Sequence, residues 1–232
     1  MTTVVLLRHG LTAMTGPVLA GRTPGVHLDD RGLAQAAEAA KRLAGVRLAA
    51  IVCSPLERCQ ETAGAVSELA GVAIDTEPRL IECGYGDWTG QELKKLAKDP
   101  LWKVVQAHPS AVTFPGEDGE SLRAAQARAV DAVRSWNARL GPDATWLACS
   151  HADIIKSVVA DALGMHLDEF QRIVIDPCSV TVIRYTDLRP FVVRVNDSGA
   201  ELATLLATPK RARTSAKARG ADAVVGGGAG AA

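Results

Sequence analysis

Short runs of apolar residues alternate along this chain with longer segments whose apolar residues recur at helical spacing. The first run, residues 4–7, is Val-Val-Leu-Leu, which is typical of a short buried strand. Similar runs predict strands at 48–53, 72–74, 145–149, 173–175, 179–184 and 191–195, the last two as a hairpin. Amphipathic helices are predicted at about 29–43, 55–71, 91–107, 120–140 and 153–163. This alternation predicts an α/β fold, a three-layer α/β/α sandwich with a mostly parallel sheet.

Polar residues and prolines mark where the helices are expected to begin. Asp29 or Asp30 is placed to cap the first helix, and Ser54 to cap the second, with Pro55 in its first turn. Residues 10–28 contain four glycines and two prolines but no clear periodicity, which predicts a long loop. Long loops in compact domains are often functional.

The hydrophobic pattern decays after residue 199. Residues 200–232 are rich in Ala, Gly and basic side chains and cannot bury a core. We therefore predict one folded domain over 1–199 and a disordered low-complexity tail over 200–232. The tail carries five basic and two acidic residues, a charge of +3, so the body carries −3 because the whole chain sums to zero. We expect no nucleic-acid partner for such a body.

Composition narrows the cellular setting. Hydrophobic residues make up 47% of the chain, but no apolar run is long enough to span a bilayer, and residues 1–7 lack signal-peptide features. The five cysteines form no C-x-x-C pair, and Cys53 and Cys149 lie inside predicted strands as small core residues. These features predict a cytoplasmic location and no membrane partner.

Three predicted strands are followed closely by residues that can carry chemistry. Arg8 and His9 follow the first strand, His151 follows the strand at 145–149, and Arg58 lies near the start of the helix after the second strand. Because the carboxyl ends of parallel strands meet at one edge of a sheet, we expect one pocket, facing a helix N-terminus. Guanidinium groups and a helix N-terminus suit phosphoryl oxygens, and an imidazole among them can attack phosphorus.

Five short motifs in order carry a resemblance to a known family. They are Leu7-Arg8-His9-Gly10-x-Thr12, Ser54-Pro55-Leu56-x-Arg58-x-x-x-Thr62, Leu80-x-Glu82-x-x-x-Gly86-x-Trp88-x-Gly90, Gly119-Glu120-Ser121 and Ser150-His151. With these motifs the chain resembles the histidine phosphatase superfamily, which includes the cofactor-dependent phosphoglycerate mutases. The resemblance covers about residues 3–185 and implies a phosphoglycerate mutase-like fold.

The resemblance also implies a role for each matched residue. His9 would be phosphorylated by in-line attack, while Arg8, Arg58 and His151 would hold the phosphoryl oxygens and stabilise the charge that develops. Glu82 would protonate the leaving alcohol and then activate water as a base. The catalytic set is thus His9, Glu82 and His151. No metal and no cofactor are expected, because arginines and histidines would supply the positive charge.

Some positions depart from the pattern of this family. Leu11 stands where many relatives have Glu or Gln, and Thr15 where many have an Asn that contacts phosphate. Cys83 stands where the mutases typically have Arg, which favours a phosphatase over a mutase. Weaker candidates for contacts with phosphate or substrate are Thr12, Thr15 and Arg22.

Three functions remain open on this evidence. The favoured one is a metal-independent phosphomonoester hydrolase that works through phospho-His9. The alternatives are phosphoryl transfer of the phosphoglycerate mutase type and a catalytically silent protein that binds phosphorylated ligands. The expected partner is a small-molecule phosphomonoester, with specificity in residues 91–118 and in the loop 10–28. The substrate and the oligomeric state stay open, a homodimer included.

Overall fold

The computed structural model describes residues 1–200 and 225–229 of the 232-residue chain. Most of the tail that was predicted to be disordered, residues 201–224 and 230–232, lies outside the described residues. Within the described part of the chain, none of the helices has the length and apolar character that crossing a bilayer requires.

A six-stranded sheet forms the centre of the fold. Its strands are β1 (Thr2–Arg8), β2 (Ile51–Cys53), β3 (Ile74–Thr76), β4 (Thr145–Ser150), β5 (Val180–Tyr185) and β6 (Pro190–Asp197). They are arranged in the order β3-β2-β4-β1-β5-β6. The first four strands in that order are parallel, and β5 and β6 add the predicted antiparallel hairpin next to β1. The prediction of a mostly parallel sheet is confirmed.

Helices cover both faces of the sheet. They are α1 (Asp30–Leu43), α2 (Glu57–Ala70), α3 (Leu93–Leu96), α4 (Pro100–Ala107), α5 (Leu122–Leu140) and α6 (Ala152–Leu163). Apolar residues of α1 and α2 share one buried cluster with one face of the sheet, and those of α4, α5 and α6 share a second cluster with the other face. The predicted three-layer α/β/α sandwich is confirmed.

Strand β1 shows why its run of apolar residues is continuous. Val4 and Leu6 point into the cluster under α5 and α6, whereas Val5 and Leu7 point into the cluster under α1 and α2. Successive side chains of a strand face opposite sides, so a strand covered on both sides needs apolar residues at every position. Each of these buried side chains contributes about 1.5–3 kcal/mol. The strand that leads to His9 is therefore held firmly in the middle of the sheet.

The predicted cap of the first helix is confirmed, and that of the second is wrong. Asp29 caps α1 and Ser121 caps α5, each accepting a hydrogen bond from the backbone N–H three residues further on. Ser54 does not act as the side-chain cap of α2, which begins three residues later. The Ser54 hydroxyl instead contacts the ring of His151, because the two lie at neighbouring strand ends.

Several boundaries differ from the sequence pattern. Residues 173–175 form no strand: Ile173 and Ile175 are buried, but Val174 is exposed and the stretch stays outside the sheet. The second strand begins at residue 51 rather than 48, and the third spans 74–76 rather than 72–74. The helical stretch predicted over 91–107 is two helices, because Pro100 has no N–H to continue the first one and starts α4 instead.

Candidate active site

The carboxyl ends of β1, β2 and β4 meet at one edge of the sheet. Arg8, the last residue of β1, pairs in register with Ser150 at the end of β4, and β2 pairs with β4 up to its own last residue. The residues that follow these strands therefore lie side by side. The rings of His9 and His151 meet edge to face, with centroids 5.2 Å apart.

His9 lines a cavity at this edge. Its Nδ1 lies 2.7 Å from the carbonyl oxygen of Gly10. A carbonyl oxygen only accepts, so Nδ1 carries the proton and Nε2 keeps a lone pair. Burial, together with the charges of Arg58 and Arg8, holds the pKa of His9 well below its usual 6.5. The imidazole is therefore neutral at neutral pH, which is the nucleophilic form.

The turn after His9 is pressed against the first helix. A Cβ atom at Gly10 would lie 2.7 Å from the carbonyl oxygen of Gly32 in α1, closer than real Cβ atoms approach. On the other side, the Thr62 hydroxyl of α2 accepts a hydrogen bond from the Gly10 N–H at 3.1 Å and donates to the Arg58 carbonyl at 2.7 Å. The packing of α1 and α2 thus sets the position of His9.

Arg8 and Arg58 bring buried donors that lack partners. Both are nearly inaccessible, at 1% and 2% exposure. Arg58 donates through Nη2 to the Gly21 carbonyl at 2.7 Å. Among the described residues, however, the Nε and Nη1 atoms of Arg58 and the Nε of Arg8 have no hydrogen-bond partner. Buried polar groups are rarely left unpaired, and an unpaired charged donor is especially costly. These nitrogens indicate a site for an anion.

His151 supports Arg58 from behind. Its Nδ1 lies 3.3 Å from Nη2 of Arg58, and its Nε2 lies 2.8 Å from the Ser54 hydroxyl. A guanidinium only donates, so Nδ1 accepts from Arg58 and the proton on Nε2 is donated to Ser54. Burial, and next the charge of Arg58, hold the pKa of His151 well below its usual value. The neutral ring therefore orients the guanidinium group.

Glu82 is a buried carboxyl on the wall of the same cavity. Its Oε1 accepts a hydrogen bond from the Cys83 N–H at 2.9 Å, and its Oε2 lies 3.9 Å from Nδ1 of His151. Burial, and next the negative charge of Asp153, raise the pKa of Glu82 from 4.5 to about 7. A carboxyl with this pKa can both donate and accept a proton near neutral pH.

Asp153 belongs to a buried polar network at the start of α6. Its Oδ2 accepts a hydrogen bond from the Tyr85 hydroxyl at 2.9 Å, and its Oδ1 lies 3.3 Å from the ammonium group of Lys156. Burial, and next the charge of Asp153, raise the pKa of Tyr85 well above its usual value, so the phenol stays a donor. The carboxyl of Asp153 thus has partners on both oxygens, as a buried charge requires.

Three residues fasten the loop that carries Glu82, and we call them the loop clamp: Arg22, Glu120 and Arg128. Arg128 of α5 donates to three carbonyl oxygens within residues 79–82, at 2.6 to 3.1 Å, and to both oxygens of Glu120. Arg22 donates to the Glu82 carbonyl and to Glu120, both at 2.8 Å. Arg22, a candidate for substrate contact, is therefore engaged with the loop.

The cavity brings six of the predicted site residues together: Arg8, His9, Thr12, Thr15, Arg58 and Glu82. The hydroxyls of Thr12 and Thr15 lie 3.0 Å apart and bond to each other. Arg22 and His151 stand behind the wall rather than in it. Across the part of the chain that the structure describes, no three His, Cys, Asp or Glu side chains are grouped so that they could hold a metal ion.

Residues 225–229 also reach this cavity. Val225 is buried, Gly226 and Gly227 line the wall, and the Gly228 carbonyl accepts a hydrogen bond from Arg8. A disordered tail was predicted over 200–232, and within it residues 225–229 lie against the folded domain. Glycines lack side chains, so the composition predicts no hydrophobic contact, but their main chain fits where a side chain would not.

To hold a phosphoryl group beside a nucleophile, a protein needs cationic donors that have no other partner, placed around a neutral imidazole. Fold and site together define an α/β sandwich with buried cationic donors at the carboxyl edge of its parallel strands. The family model of the histidine phosphatase superfamily (branch 1) matches residues 4–198. The chain belongs to this superfamily, as its motifs predicted.

Comparison with individual proteins gives named relatives. Two uncharacterized proteins of Mycobacterium tuberculosis are 43% identical over 81 residues, which is 35% of this chain and 40% of theirs. Phosphoserine phosphatase 1 of Hydrogenobacter thermophilus is 29% identical, over 84% of this chain and 92% of that protein. A 2,3-bisphosphoglycerate-dependent phosphoglycerate mutase of Thermoplasma acidophilum is 26% identical, over 79% of this chain and 87% of that protein.

Solved structures agree on the fold. The native structure of mycobacterial glucosyl-3-phosphoglycerate phosphatase superposes with a TM-score of 0.74 at 24% identity, covering 84% of this chain and 98% of that chain. Named phosphatases thus stand among both the sequence relatives and the structural neighbours.

Proposed function

We propose that the protein is a metal-independent phosphomonoester hydrolase that forms a phosphohistidine at His9. The observation that carries this proposal is the set of buried guanidinium nitrogens of Arg8 and Arg58 that have no partner among the described residues. They lie beside a histidine whose Nδ1 is engaged and whose Nε2 is free to attack. A phosphoryl group would satisfy the arginines and meet the nucleophile at the same time.

The proposed reaction has two half-reactions. In the first, Nε2 of His9 forms a bond to phosphorus while the bond to the ester oxygen breaks, and Glu82 transfers its proton to the leaving alkoxide. In the second, the Glu82 carboxylate takes a proton from water, whose oxygen attacks phosphorus as the P–N bond breaks. Inorganic phosphate leaves, and both side chains return to their starting protonation.

Arg8 and Arg58 supply the charge that stabilises both transition states. We assign His151 to phosphate binding as well. An incoming phosphate dianion would oppose the effect of Arg58 on the pKa of His151 and favour the protonated ring, which can donate to a phosphoryl oxygen. Thr12 and Thr15 are proposed as neutral donors at the opposite wall.

The test is replacement of the proposed nucleophile. His9→Ala should abolish turnover of p-nitrophenyl phosphate and prevent formation of an acid-labile phosphoenzyme, detected with a ³²P-labelled substrate. His108→Ala is the matched control, because His108 is exposed and lies outside the cavity. If His9→Ala still turns over the substrate at the rate of the control, the nucleophile is another residue.

A mutase activity is the second candidate, because one relative bears that name. Cys83 argues against it: this buried thiol stands where the mutases typically have an arginine that would recognise a phosphoglycerate carboxylate. Isomerisation of 3-phosphoglycerate that depends on a bisphosphorylated primer and outpaces phosphate release would favour the mutase. Primer-independent phosphate release would favour the hydrolase.

The proposed substrates are small phosphomonoesters. The named relative that acts on phosphoserine supports this class, and a panel of phosphorylated amino acids, phosphoglycerate derivatives and sugar phosphates would rank its members. We place the protein in the cytoplasm, in keeping with five cysteines that are all free thiols.

A further inference from the structure

Residues 225–229, which we call the C-terminal segment, contribute Val225, Gly226 and Gly227 to the wall of the cavity. The Gly226 N–H donates to Oδ2 of Asp153 at 2.9 Å, and Asp153 is itself only 1% exposed. Val225, next to it, is also 1% exposed. A buried acceptor on one side and a buried apolar contact on the other anchor the start of the segment.

The other end of the segment engages Arg8. Nη1 of Arg8 donates to the Gly228 carbonyl at 2.8 Å, and Nη2 lies 3.5 Å from the Gly227 carbonyl. The remaining contact of this guanidinium is the Ile175 carbonyl, also at 2.8 Å from Nη1. Carbonyl oxygens of the segment therefore hold positions around Arg8 that phosphoryl oxygens would take.

The fit depends on the absence of side chains. Gly226 and Gly227 have φ angles of +76° and +79°, which favour glycine. A Cβ at Gly227 would lie 2.4 Å from the Cβ of Ala152 and 3.0 Å from Cζ of Arg8. Alanine at position 227 would thus have to move away from both the first residue of α6 and the arginine.

The segment and a phosphoryl group would compete for the same donors. With the C-terminal segment in place, Nη1 and Nη2 of Arg8 are bonded to its carbonyl oxygens. A phosphoryl group held by these nitrogens would have to displace those carbonyl oxygens. The segment and a phosphomonoester therefore exclude each other at Arg8.

We propose that the cleft between Arg8 and Asp153 is a binding site for a glycine-rich peptide main chain, and that the chain's own C-terminal segment fills it as an intramolecular inhibitor. The inhibitory part rests on the proposed function, since it requires the cavity to be the phosphomonoester site. Substrate binds only the open form, so the apparent affinity is reduced by the fraction of molecules that are open. Once substrate is bound the segment is already displaced, and the chemical step is unaffected.

The test compares Gly227→Ala in the full chain with Gly45→Ala, a glycine that has nothing within 4 Å of an added Cβ and no positive φ. Gly227→Ala should lower KM for p-nitrophenyl phosphate about tenfold with kcat unchanged, since the gain is bounded by the reciprocal of the open fraction. Gly45→Ala should match the wild type. Binding of inorganic phosphate, measured by calorimetry without any turnover, should tighten by the same factor in Gly227→Ala only.

A peptide with the sequence of residues 224–232 gives a second measurement. Added to Gly227→Ala, it should raise KM without changing kcat, and the same peptide with Gly227→Ala should have no effect. Unchanged KM and unchanged phosphate affinity in Gly227→Ala would overturn the proposal. A fall in kcat would also overturn it, because the segment would then assist the reaction. If no form of the chain hydrolyses a phosphomonoester, the proposed function fails, while the phosphate-binding measurement still decides whether the segment occupies the site.

Discussion

Two pairs of arginines lie near Glu82, one lining the cavity and one bonded to the Glu82 loop, and they are used in different ways. Arg8 and Arg58 are buried with nitrogens that have no partner among the described residues. In the loop clamp, Arg128 makes five hydrogen bonds to carbonyl and carboxylate oxygens, and Arg22 makes two. The residue type is the same, but each arginine of the first pair keeps at least one nitrogen without a partner in the described part of the chain, whereas those of the second pair are engaged with the loop that carries Glu82.

This contrast separates binding from positioning. An unpaired buried donor lowers the stability of the free protein and gains a partner only when a ligand arrives. A fully paired guanidinium stabilises a loop and offers nothing to a ligand. We therefore expect substitution of Arg8 or Arg58 to change activity more than stability. Substitution of an arginine in the loop clamp should change stability more than activity.

The largest effect on activity is expected from replacing the Glu82 carboxyl. Glu82→Gln should slow hydrolysis of alkyl phosphates by about 10²–10⁴, because the poor leaving group needs a proton. It should lower kcat/KM for p-nitrophenyl phosphate much less, since that leaving group departs as an anion. Values of kcat/KM for both substrates check the prediction, because they report the half-reaction in which the alcohol leaves. An equal loss on both substrates would show that Glu82 is not the acid.

The next largest effect is expected from removing one of the arginines that keep nitrogens without a partner among the described residues. Arg58→Met should lower kcat/KM by about 10²–10³ for good and poor leaving groups alike, because it removes charge stabilisation from every transition state. Its free energy of unfolding, from urea denaturation, should stay the same or rise, since unpaired buried donors are removed. A large loss of stability would mean that Arg58 is structural and that the contrast with the loop clamp does not hold.

Arg128→Met should show the opposite balance. It leaves three carbonyl oxygens and the Glu120 carboxylate without their donor, so we expect a loss of stability of about 3–5 kcal/mol. Activity should fall by about tenfold with alkyl phosphates, through misplacement of Glu82, and less with p-nitrophenyl phosphate. Arg128→Lys, which keeps the charge, is the control and should recover part of the stability. If Arg128→Met were as stable as the wild type, the loop clamp would not stabilise the Glu82 loop.

The smallest effect is the pH dependence. Glu82, with its pKa raised to about 7, carries the proton below that pH and loses it above. kcat/KM for an alkyl phosphate should therefore fall by about tenfold between pH 7.5 and 8.5 in the wild type. The profile for p-nitrophenyl phosphate should stay flat over that interval, and so should the profile of Glu82→Gln with either substrate. A fall that persists in Glu82→Gln would belong to a different group.

The site residues that lie at or directly after the ends of strands could be predicted from the sequence. Arg8, His9 and His151 follow strands directly, so a pattern of strands was enough to place them at one edge. The role of Arg128 could not be predicted, because three of its five hydrogen bonds go to backbone carbonyls of a distant loop, and a backbone carbonyl is present whatever the residue. Ser54 was misjudged for a related reason: its hydroxyl suits a helix cap, and only the neighbouring strand end supplies the histidine ring that it contacts instead.

The central strands of the fold could also be predicted, whereas some peripheral segments could not. Continuous apolar runs predicted the central strands, but residues 173–175 are equally apolar and join no sheet; the Ile175 carbonyl instead accepts a hydrogen bond from Arg8. The C-terminal segment lay beyond any pattern argument, because glycine-rich composition indicates disorder unless a complementary cleft exists elsewhere in the chain.

The central place of β1 has a consequence for how the protein loses activity on heating. This strand is hydrogen-bonded to β4 on one side and to β5 on the other, so its amide protons should exchange with solvent only through global unfolding. His9 directly follows this slowest-exchanging strand. Fraying at the edge strands β3 and β6 would leave the histidine in place, and thermal inactivation should coincide with the cooperative melting of the whole domain.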